Sequence, residues 1–442
     1  MAACFVLFLT AVAVCLMTGR PLLDAIFLGL VLFFALGLKR GYSAKSLWAM
    51  AWEKGKKALI VVQILILIGM LTAMWRSCGT IAFFSYYGIR AVTPSFFILI
   101  TFLLTTVLSL LLGSSFGVIG TAGVILMALA RSGNVSVAVT AGAILSGSYF
   151  GDRCSPASSC LALISAVTGT EMRRNLQLTQ RTVLLPLALT TAVYALLSWM
   201  HPIARVDGEI LGALADRFSL HWVVVLPALI MLVLPLCKVE IKLTMALSIA
   251  SAAAITVALQ GMGVTEMLGT LVLGYDPADP LLARVLHGGG LFSMASSMGM
   301  IFITSLYSGI LEGTDLLEPV RHQVDSLADR IGLYLTTALV SVASVFIFCN
   351  QSVMVFMDEQ LLGKTYRRKG ESPTGLAIDI ANTGVVLAEL VPWSISLTIP
   401  LAMLGAGLSA APYAVLHYVL PLCYYFTRPH FHEQISRKER PA

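Results

Sequence analysis

The stretch GAILSGSYFGDRCSPASSCLALISAVTGTE, residues 142–171, decides how the chain is read. It begins as an apolar run of small residues, is interrupted at Gly151-Asp152-Arg153-Cys154-Ser155-Pro156, and resumes as a second apolar piece up to Thr168. A carboxylate, a guanidinium and a helix-breaking Pro inside membrane-grade sequence must be held by protein or water, because hydrocarbon would leave them unsatisfied. The apolar segment from Val137 to Thr170 has 34 residues where about 20 suffice for one crossing. It is therefore expected to contain a break or a re-entrant piece.

Composition sets the class around this stretch. With 58% hydrophobic residues, 12% charged residues and a mean hydropathy of +0.88, the 442 residues exclude a soluble globular chain. The fold class is all-α, a polytopic helical membrane protein whose surrounding partner is membrane lipid. The net charge of +6 is read as Lys and Arg of cytoplasmic loops, because the basic residues sit in short loops between apolar runs. No basic patch interleaved with aromatics argues for nucleic acid. The eight cysteines, Cys4, Cys15, Cys78, Cys154, Cys160, Cys237, Cys349 and Cys423, form neither a CxxC nor a Cys/His cluster and are read as small core residues. The first 18 residues lack a basic n-region and a clear cleavage site, so they are read as a first span rather than a signal sequence.

Span lengths and the Lys/Arg bias divide the chain. Residues 1–57 hold a helical hairpin and a connector rich in Lys39, Arg40, Lys45, Lys54, Lys56 and Lys57, which is placed in the cytoplasm. Residues 58–200 form a first transport unit that includes the broken segment and ends beside Arg173, Arg174 and Arg181. Residues 201–288 supply connecting spans and an external loop, residues 289–427 a second unit, and residues 428–442 a basic tail. The expectation is 11 to 14 membrane segments in a plasma (inner) membrane, with both termini cytoplasmic. A homodimer is one assembly open to it.

The two units match in spacing. Gly79-Thr80 pairs with Gly313-Thr314, Gly113-Ser114-Ser115 with Cys349-Asn350-Gln351, and Pro156 with Pro392, and the separation is nearly the same in all three pairs. Counting crossings, the first unit starts inside and the second outside, which predicts inverted repeats with paired broken helices and a site between the breaks. Chance recurrence of Gly and Pro in a chain with 36 glycines and 17 prolines is the plain alternative.

These residues also resemble a family. The run Ser146-Gly-Ser-Tyr-Phe-Gly-Asp152-Arg-Cys-Ser155-Pro156, with Gly-Ser-Ser-Phe-Gly at 113–117, Gly-Thr-Ile at 79–81, Tyr-Tyr-Gly at 86–88, Cys349-Asn350-Gln351 and Leu390-Val391-Pro392-Trp393, is similar to the NhaC-type sodium/proton antiporter family. The resemblance covers about Leu59 to Met403. It implies sodium/proton exchange by alternating access, in a family that also includes sodium- or proton-coupled organic-solute antiporters such as malate/lactate exchangers. It implies no cofactor beyond a bound sodium ion, and no enzymatic activity. Family members usually carry Asp where Ser159 stands, hydroxyl and amide residues at Cys160-Leu161-Ala162, Asp at Asn350 and a Glu-Asp pair at Ala381-Asn382. Four carboxylates of that pattern are therefore missing, Asp152 is retained, and Glu389 stands where the pattern is not acidic.

The candidate ion- or substrate-binding residues are Ser114, Ser115, Thr121, Ser146, Asp152, Ser155, Ser158, Ser159, Asn350, Gln351, Asn382, Thr383 and Glu389, with Asp152 the candidate sodium or proton ligand. Such a hydroxyl- and amide-rich lining suits a polar organic solute better than a tight cation cage, which needs several oxygens with at least one carboxylate. The half-helix after Pro156 is expected to turn its N-terminal N–H groups to the cavity as a seat for a carboxylate. Asp152 beside Arg153 reads equally as a structural ion pair. Glu389 can snorkel to an interface, Asp358-Glu359 read as a solvated helix end, Asp379 as interfacial, and His287 and His417 as satisfied core histidines. Asn350-Gln351 and Asn382-Thr383 also suit hydrogen-bond contacts between helices. Gly113-Ser114-Ser115-Phe116-Gly117 fits the G-x-S-x-G pattern of serine hydrolases, but no strand precedes it and no base is identified, so the pattern is weak.

Overall fold

A computed structural model of the chain describes residues 2–91, 94–201, 208–237, 239–314 and 318–439, and these are helical throughout apart from short connections and one isolated bridge between Tyr275 and Gly288. Arg440 of the expected basic tail lies outside the described residues. Among the described residues, five helices are long and apolar enough to cross a membrane, or seven if each of two bent pairs counts as one span. The described residues also hold six shorter apolar helices of 10–17 residues. The protein is a polytopic helical membrane protein.

The first departure from the sequence reading is at the connector. Ala44–Ser77 is one uninterrupted helix of 34 residues, so the boundary placed at 57/58 falls within it. Charge made residues 44–57 look like a loop, yet nothing in them breaks a helix, and Ser43 caps the start by accepting from the Ser46 N–H at 3.1 Å. At about 1.5 Å per residue the helix is roughly 50 Å long, enough to cross the bilayer and extend beyond it. It packs along Ala295–Gly313, where glycines allow close approach: a Cβ on Gly309 would lie 2.4 Å from the Met50 carbonyl oxygen.

The anticipated break is present. Val137–Cys154 ends, residues 155–158 leave the helix, and Ser159–Thr168 resumes it. The second long segment bends by 51° between Pro373–Leu390 and Ile395–Leu404. It is also interrupted earlier, because Pro373–Asn382 gives way at Thr383, whose φ is −121° and ψ −77°. The other bent pair, Met172–Thr182 with Leu184–Met200, turns by 44°.

Boundaries in the second half follow those in the first at a constant offset. Phe97–Leu112 corresponds in this spacing to Leu333–Phe348, and the αL residues that end them are Gly113 and Cys349, with φ of 64° and 55°. Ser159–Thr168 corresponds to Ile395–Leu404, their N-caps being Ser158 and Ser394 and their αL C-caps Gly169 and Gly405. Ser136 and Ser372 cap the helices that lead into the two breaks. Cys349 lacks the freedom of the glycine at 113, and its thiol lies 3.0 Å from the Tyr307 hydroxyl. Of the cysteines read as core, Cys237 is exposed, Cys4, Cys160 and Cys423 are partly buried, and the other four are buried.

The helix that enters the first break is locked against Phe97–Leu112 by glycine contacts. A Cβ on Gly151 would stand 2.0 Å from the Ser109 carbonyl oxygen, while the Gly151 N–H donates to Ser109 Oγ at 3.0 Å. Gly151→Ala is accordingly expected to push these helices apart and destabilise the protein by about 1–3 kcal/mol. In detergent its melting temperature should fall measurably, whereas Gly212→Ala, at a helical glycine with open space around it, should leave it unchanged or raise it.

Candidate functional site at the two helix breaks

The first break satisfies its own backbone before it offers anything to a ligand. The Asp152 carbonyl accepts from Ser158 Oγ, the Arg153 carbonyl from Thr179 Oγ1 at 3.0 Å, and the Cys154 carbonyl from Gln180 Nε2 at 3.0 Å. With the main chain held by side chains in this way, the segment can leave helical geometry inside the bundle. Ser155 closes the turn locally by accepting from the Ala157 N–H at 3.1 Å.

The Asp152 carboxylate accepts from the Ser115 N–H at 3.1 Å and from Ser115 Oγ at 2.8 Å. Ser115 opens the helical segment 115–132, whose N-cap Ser114 accepts from the Gly117 N–H at 3.3 Å. A carboxylate thus sits at a helix N-terminus, where exposed N–H groups and the helix dipole favour negative charge. The N-terminus of the helix beginning at Ser115 thus receives a carboxylate of the protein itself, while the helix after Pro156 starts at Ser159 with Ser158 as its N-cap.

Arg153 does not pair with Asp152. Its guanidinium is buried and turns to the second broken segment, where Nε donates to the Ala381 carbonyl at 2.8 Å and a terminal nitrogen donates to Asn382 Oδ1. Thr182 Oγ1 also donates to Asn382 Oδ1, at 3.3 Å. The interruption of the second long segment at 382–383 is therefore held by the arginine of the first. Tyr149 extends the link by donating its hydroxyl to the Ser396 carbonyl, in the first turn after the second break.

At the second break Glu389 is buried and neither snorkels nor faces solvent. Its carboxylate contacts His417 Nε2 and accepts from Gln351 Nε2 at 3.4 Å, while the same Gln351 nitrogen donates to the Val385 carbonyl at 3.0 Å. Asp152 and Arg153 both lie within electrostatic reach of Glu389. His417, read as a core histidine, is thus a partner of the candidate acid, and the Tyr149 ring meets it edge-on at 5.8 Å.

The structure brings together Ser114, Ser115, Asp152 and Ser158 at one break and Gln351, Glu389 and Asn382 at the other. Ser155 stays within the turn of the first break, and the other candidates are engaged elsewhere or exposed. Thr121 Oγ1 donates to the Gly117 carbonyl of its own helix at 2.7 Å. Ser146 Oγ accepts from the Tyr194 hydroxyl at 2.7 Å and the Leu416 N–H at 3.2 Å, which makes it a packing contact. Thr383 Oγ1 donates to the Asp379 carbonyl at 2.6 Å, and Ser159 is exposed in the first turn of its half-helix. Asn350 accepts from the Ser352 N–H at 2.8 Å and lines a separate cavity of about 380 Å³ with Lys54, Ser305, Ser308, Ser352, Phe348 and Phe356 among its walls. Lys54 is ion-paired to Glu312.

Two acids read as solvated or interfacial prove fully buried, Asp358 and Asp379. Asp379 accepts from Tyr366 at 2.6 Å, Tyr424 at 3.0 Å and Arg428 Nε at 2.8 Å, and contacts His432 Nε2 at 3.0 Å. The signal for both was in the sequence: each ionisable residue directly follows an apolar run, in Val-Met-Val-Phe-Met-Asp358 and Leu-Ala-Ile-Asp379-Ile-Ala. Among the described residues no three His, Cys, Asp or Glu side chains cluster as a metal centre would require.

A helical membrane bundle in which two broken helices exchange polar contacts around two carboxylates, the half-buried Asp152 and the buried Glu389, has the architecture of a secondary transporter. The chain matches the model of the Na+/H+ antiporter family over residues 1–200 and 193–426. It belongs to that family, which is one of antiporters and not of enzymes, and whose substrates are small ions or small organic solutes. Similar proteins include the arginine/ornithine antiporter ArcD of Halobacterium salinarum, 28% identical over 407 residues that cover 86% of this chain and 82% of the relative. The malate-2H+/Na+-lactate antiporter of Bacillus subtilis is 25% identical over 381 residues, covering 85% and 81%. The Na+/H+ antiporter NhaC of Alkalihalophilus pseudofirmus is 21% identical over 365 residues, covering 81% and 79%.

The geometry at Ser115 yields a direct test. Ser115→Ala keeps the backbone donor to Asp152 and removes the hydroxyl, a bond to a charged group worth about 1.5–3 kcal/mol. The variant should be expressed and folded as the native protein is, with an apparent affinity for the coupling cation changed by roughly tenfold or more in a flux assay.

Proposed function

We propose that the protein is an alternating-access antiporter coupled to a sodium ion or a proton, with Asp152 the coupling carboxylate and Glu389 its counterpart at the second break. The observation that carries this reading is the half-buried Asp152 carboxylate held by Ser115 at one helix break, matched at the other break by the buried Glu389 in contact with His417. In this reading residues 58–200 and 289–427 are two repeats of opposite orientation, in a plasma membrane with both termini cytoplasmic. The constant offset between their helix ends and caps supports the repeat. Ser115 and Gln351 occupy matching positions and each binds an acid, Asp152 or Glu389, so the halves offer two carboxylates where transport needs a load to be taken up and released.

Exchange of a small polar organic solute is the second reading, favoured by the 380 Å³ cavity beside Asn350. A dehydrated sodium ion needs no such space, while a cavity of this volume lies within the range used for small molecules, about 300–1,000 Å³. Lys54 on its wall would meet a negative charge on such a solute, and Ser305, Ser308 and Asn350 its hydrogen-bonding groups. Two of the relatives are named for amino-acid or carboxylic-acid exchange, which points the same way.

In proteoliposomes, a sodium or proton gradient should drive exchange by the native protein, tested with a panel of amino acids and carboxylic acids beside sodium and protons alone. Asp152→Asn should abolish gradient-driven exchange while gel filtration and melting remain native. Unchanged transport by that variant would remove Asp152 from the coupling role.

A further inference from the structure

Asp358 lies in Gln351–Arg368 and is completely buried, facing Leu333–Phe348. Ser341 Oγ donates to its Oδ2, the Ser344 hydroxyl lies beside the carboxylate, and Oδ1 has no partner. No cation on the elements packed around it is directed at Asp358, among the described residues. Leu333–Phe348, Ser159–Thr168 and Gly384–Leu387 carry no charged residue. On its own helix, Glu359 faces Arg367 at 3.9 Å, and Arg368 turns to Asp325 and Asp329. Asp325 of Glu318–Ile331 also accepts from Thr365, and Asp379 of Pro373–Asn382 is held by Arg428 and His432. A carboxylate cannot stay ionised and unpaired in such a place. We propose that Asp358, with Ser341 and Ser344, forms a second exchangeable-cation site, separate from Asp152, that binds a sodium ion or a proton.

Two further observations connect this site to its surroundings. A Cβ on Gly384 would stand 2.6 Å from Ser341 Oγ, so the interruption at 382–384 passes directly against the hydroxyl that holds Asp358. That interruption is the one Arg153 grips from the first broken helix, which gives occupancy at Asp358 a mechanical route to the Asp152 break. The polar file continues away from Asp358 along the same helix pair: Thr337 meets the Tyr366 hydroxyl at 2.7 Å, Tyr366 donates to Asp379, and His432 bridges Asp379 at 3.0 Å to Glu371 at 2.9 Å. A cavity of about 20 Å³ lined by Tyr366, Glu359 and Glu371 opens at its end, room for about one water.

The proposal rests on the antiporter reading for its role in transport but not for its chemistry, so the chemistry is tested first. Dicyclohexylcarbodiimide modifies protonated carboxyls in apolar surroundings; in the purified full-length protein, label at Asp358 mapped by mass spectrometry is expected. Label lowered by sodium chloride against choline chloride identifies a site shared by sodium and protons, and label indifferent to sodium identifies a proton site. An Asp358 unlabelled at every pH would overturn the proposal. In proteoliposomes, Asp358→Asn should lose about tenfold or more of cation-driven exchange, and native exchange by that variant would overturn the proposal as well. Ser341→Ala, which threatens folding less, should weaken the apparent cation affinity severalfold, and an unchanged affinity would count against the site. Label at Asp358 in a native protein that shows no gradient-driven exchange would defeat the antiporter reading and leave the cation site standing.

Discussion

The structure depends on one constraint: a peptide chain that leaves helical geometry inside an apolar bundle must find partners for every polar group it exposes. At the first break those partners are hydroxyls and amides from nearby elements, Ser158, Thr179 and Gln180, and they account for the carbonyls of residues 152, 153 and 154. Because the backbone is satisfied from one side, the two charged side chains are free to turn elsewhere. Asp152 goes to the N-terminus of the helix at Ser115 and Arg153 to the interruption at Asn382. A salt bridge between neighbours would have neutralised both charges within the turn. Directing them apart ties three segments together instead, and leaves the carboxylate with hydrogen-bond donors but no bound cation of the protein's own.

This division explains how the two broken segments can act together. Arg153 fixes the second segment through a backbone carbonyl and an amide, groups whose position changes if that segment unwinds or rewinds. Tyr149 grips the turn after the other interruption through the Ser396 carbonyl. At the far end of the same half-helix, Arg131 donates to the carbonyls of Leu404 and Gly405 at 2.7 and 2.9 Å. Three side chains of the first half therefore hold the second half by its main chain, at the places where that main chain has no helical partner. A change of charge at Asp152 alters the field at Arg153 and Glu389 together, and that is a physical path from occupancy to movement.

Much of this was legible in the sequence, for reasons that differ by element. The break at 155–158 was visible because length and proline are local signals: an apolar run that long cannot be one straight crossing. The common register of the two halves was visible because caps and αL residues are written in Ser, Asn, Gly and Pro. The partners were not visible, since they come from residues distant in sequence: His417 meets Glu389 from a helix that begins at Val415, and Arg428 and His432 reach back to Asp379. The continuous 44–77 helix was hidden by its own lysines, because hydropathy marks where a helix enters lipid and not where it starts.

Asp358 shows the same limit from the other side. Its helix ends in Lys364, Arg367 and Arg368, and a hydropathy average over the segment is pulled down by that charged end. The charges belong to the last two turns, where Arg368 and Lys369 meet Asp329 at 3.2 and 2.6 Å. Three turns earlier the face of the same helix that carries Met354, Met357 and Asp358 is buried, while Phe356 and Gln360 on the other face are exposed. The average merges a wet end with a dry middle, and the acid in the middle inherits the reading of the end. Separating the two requires knowing which face of the neighbouring helix carries Ser341 and Ser344. Spaced three apart, they lie on one face by helical periodicity. An acid facing two hydroxyls and no base is placed to exchange its cation, whereas Asp379, facing an arginine and a histidine, already has its countercharge and serves to anchor the last helix.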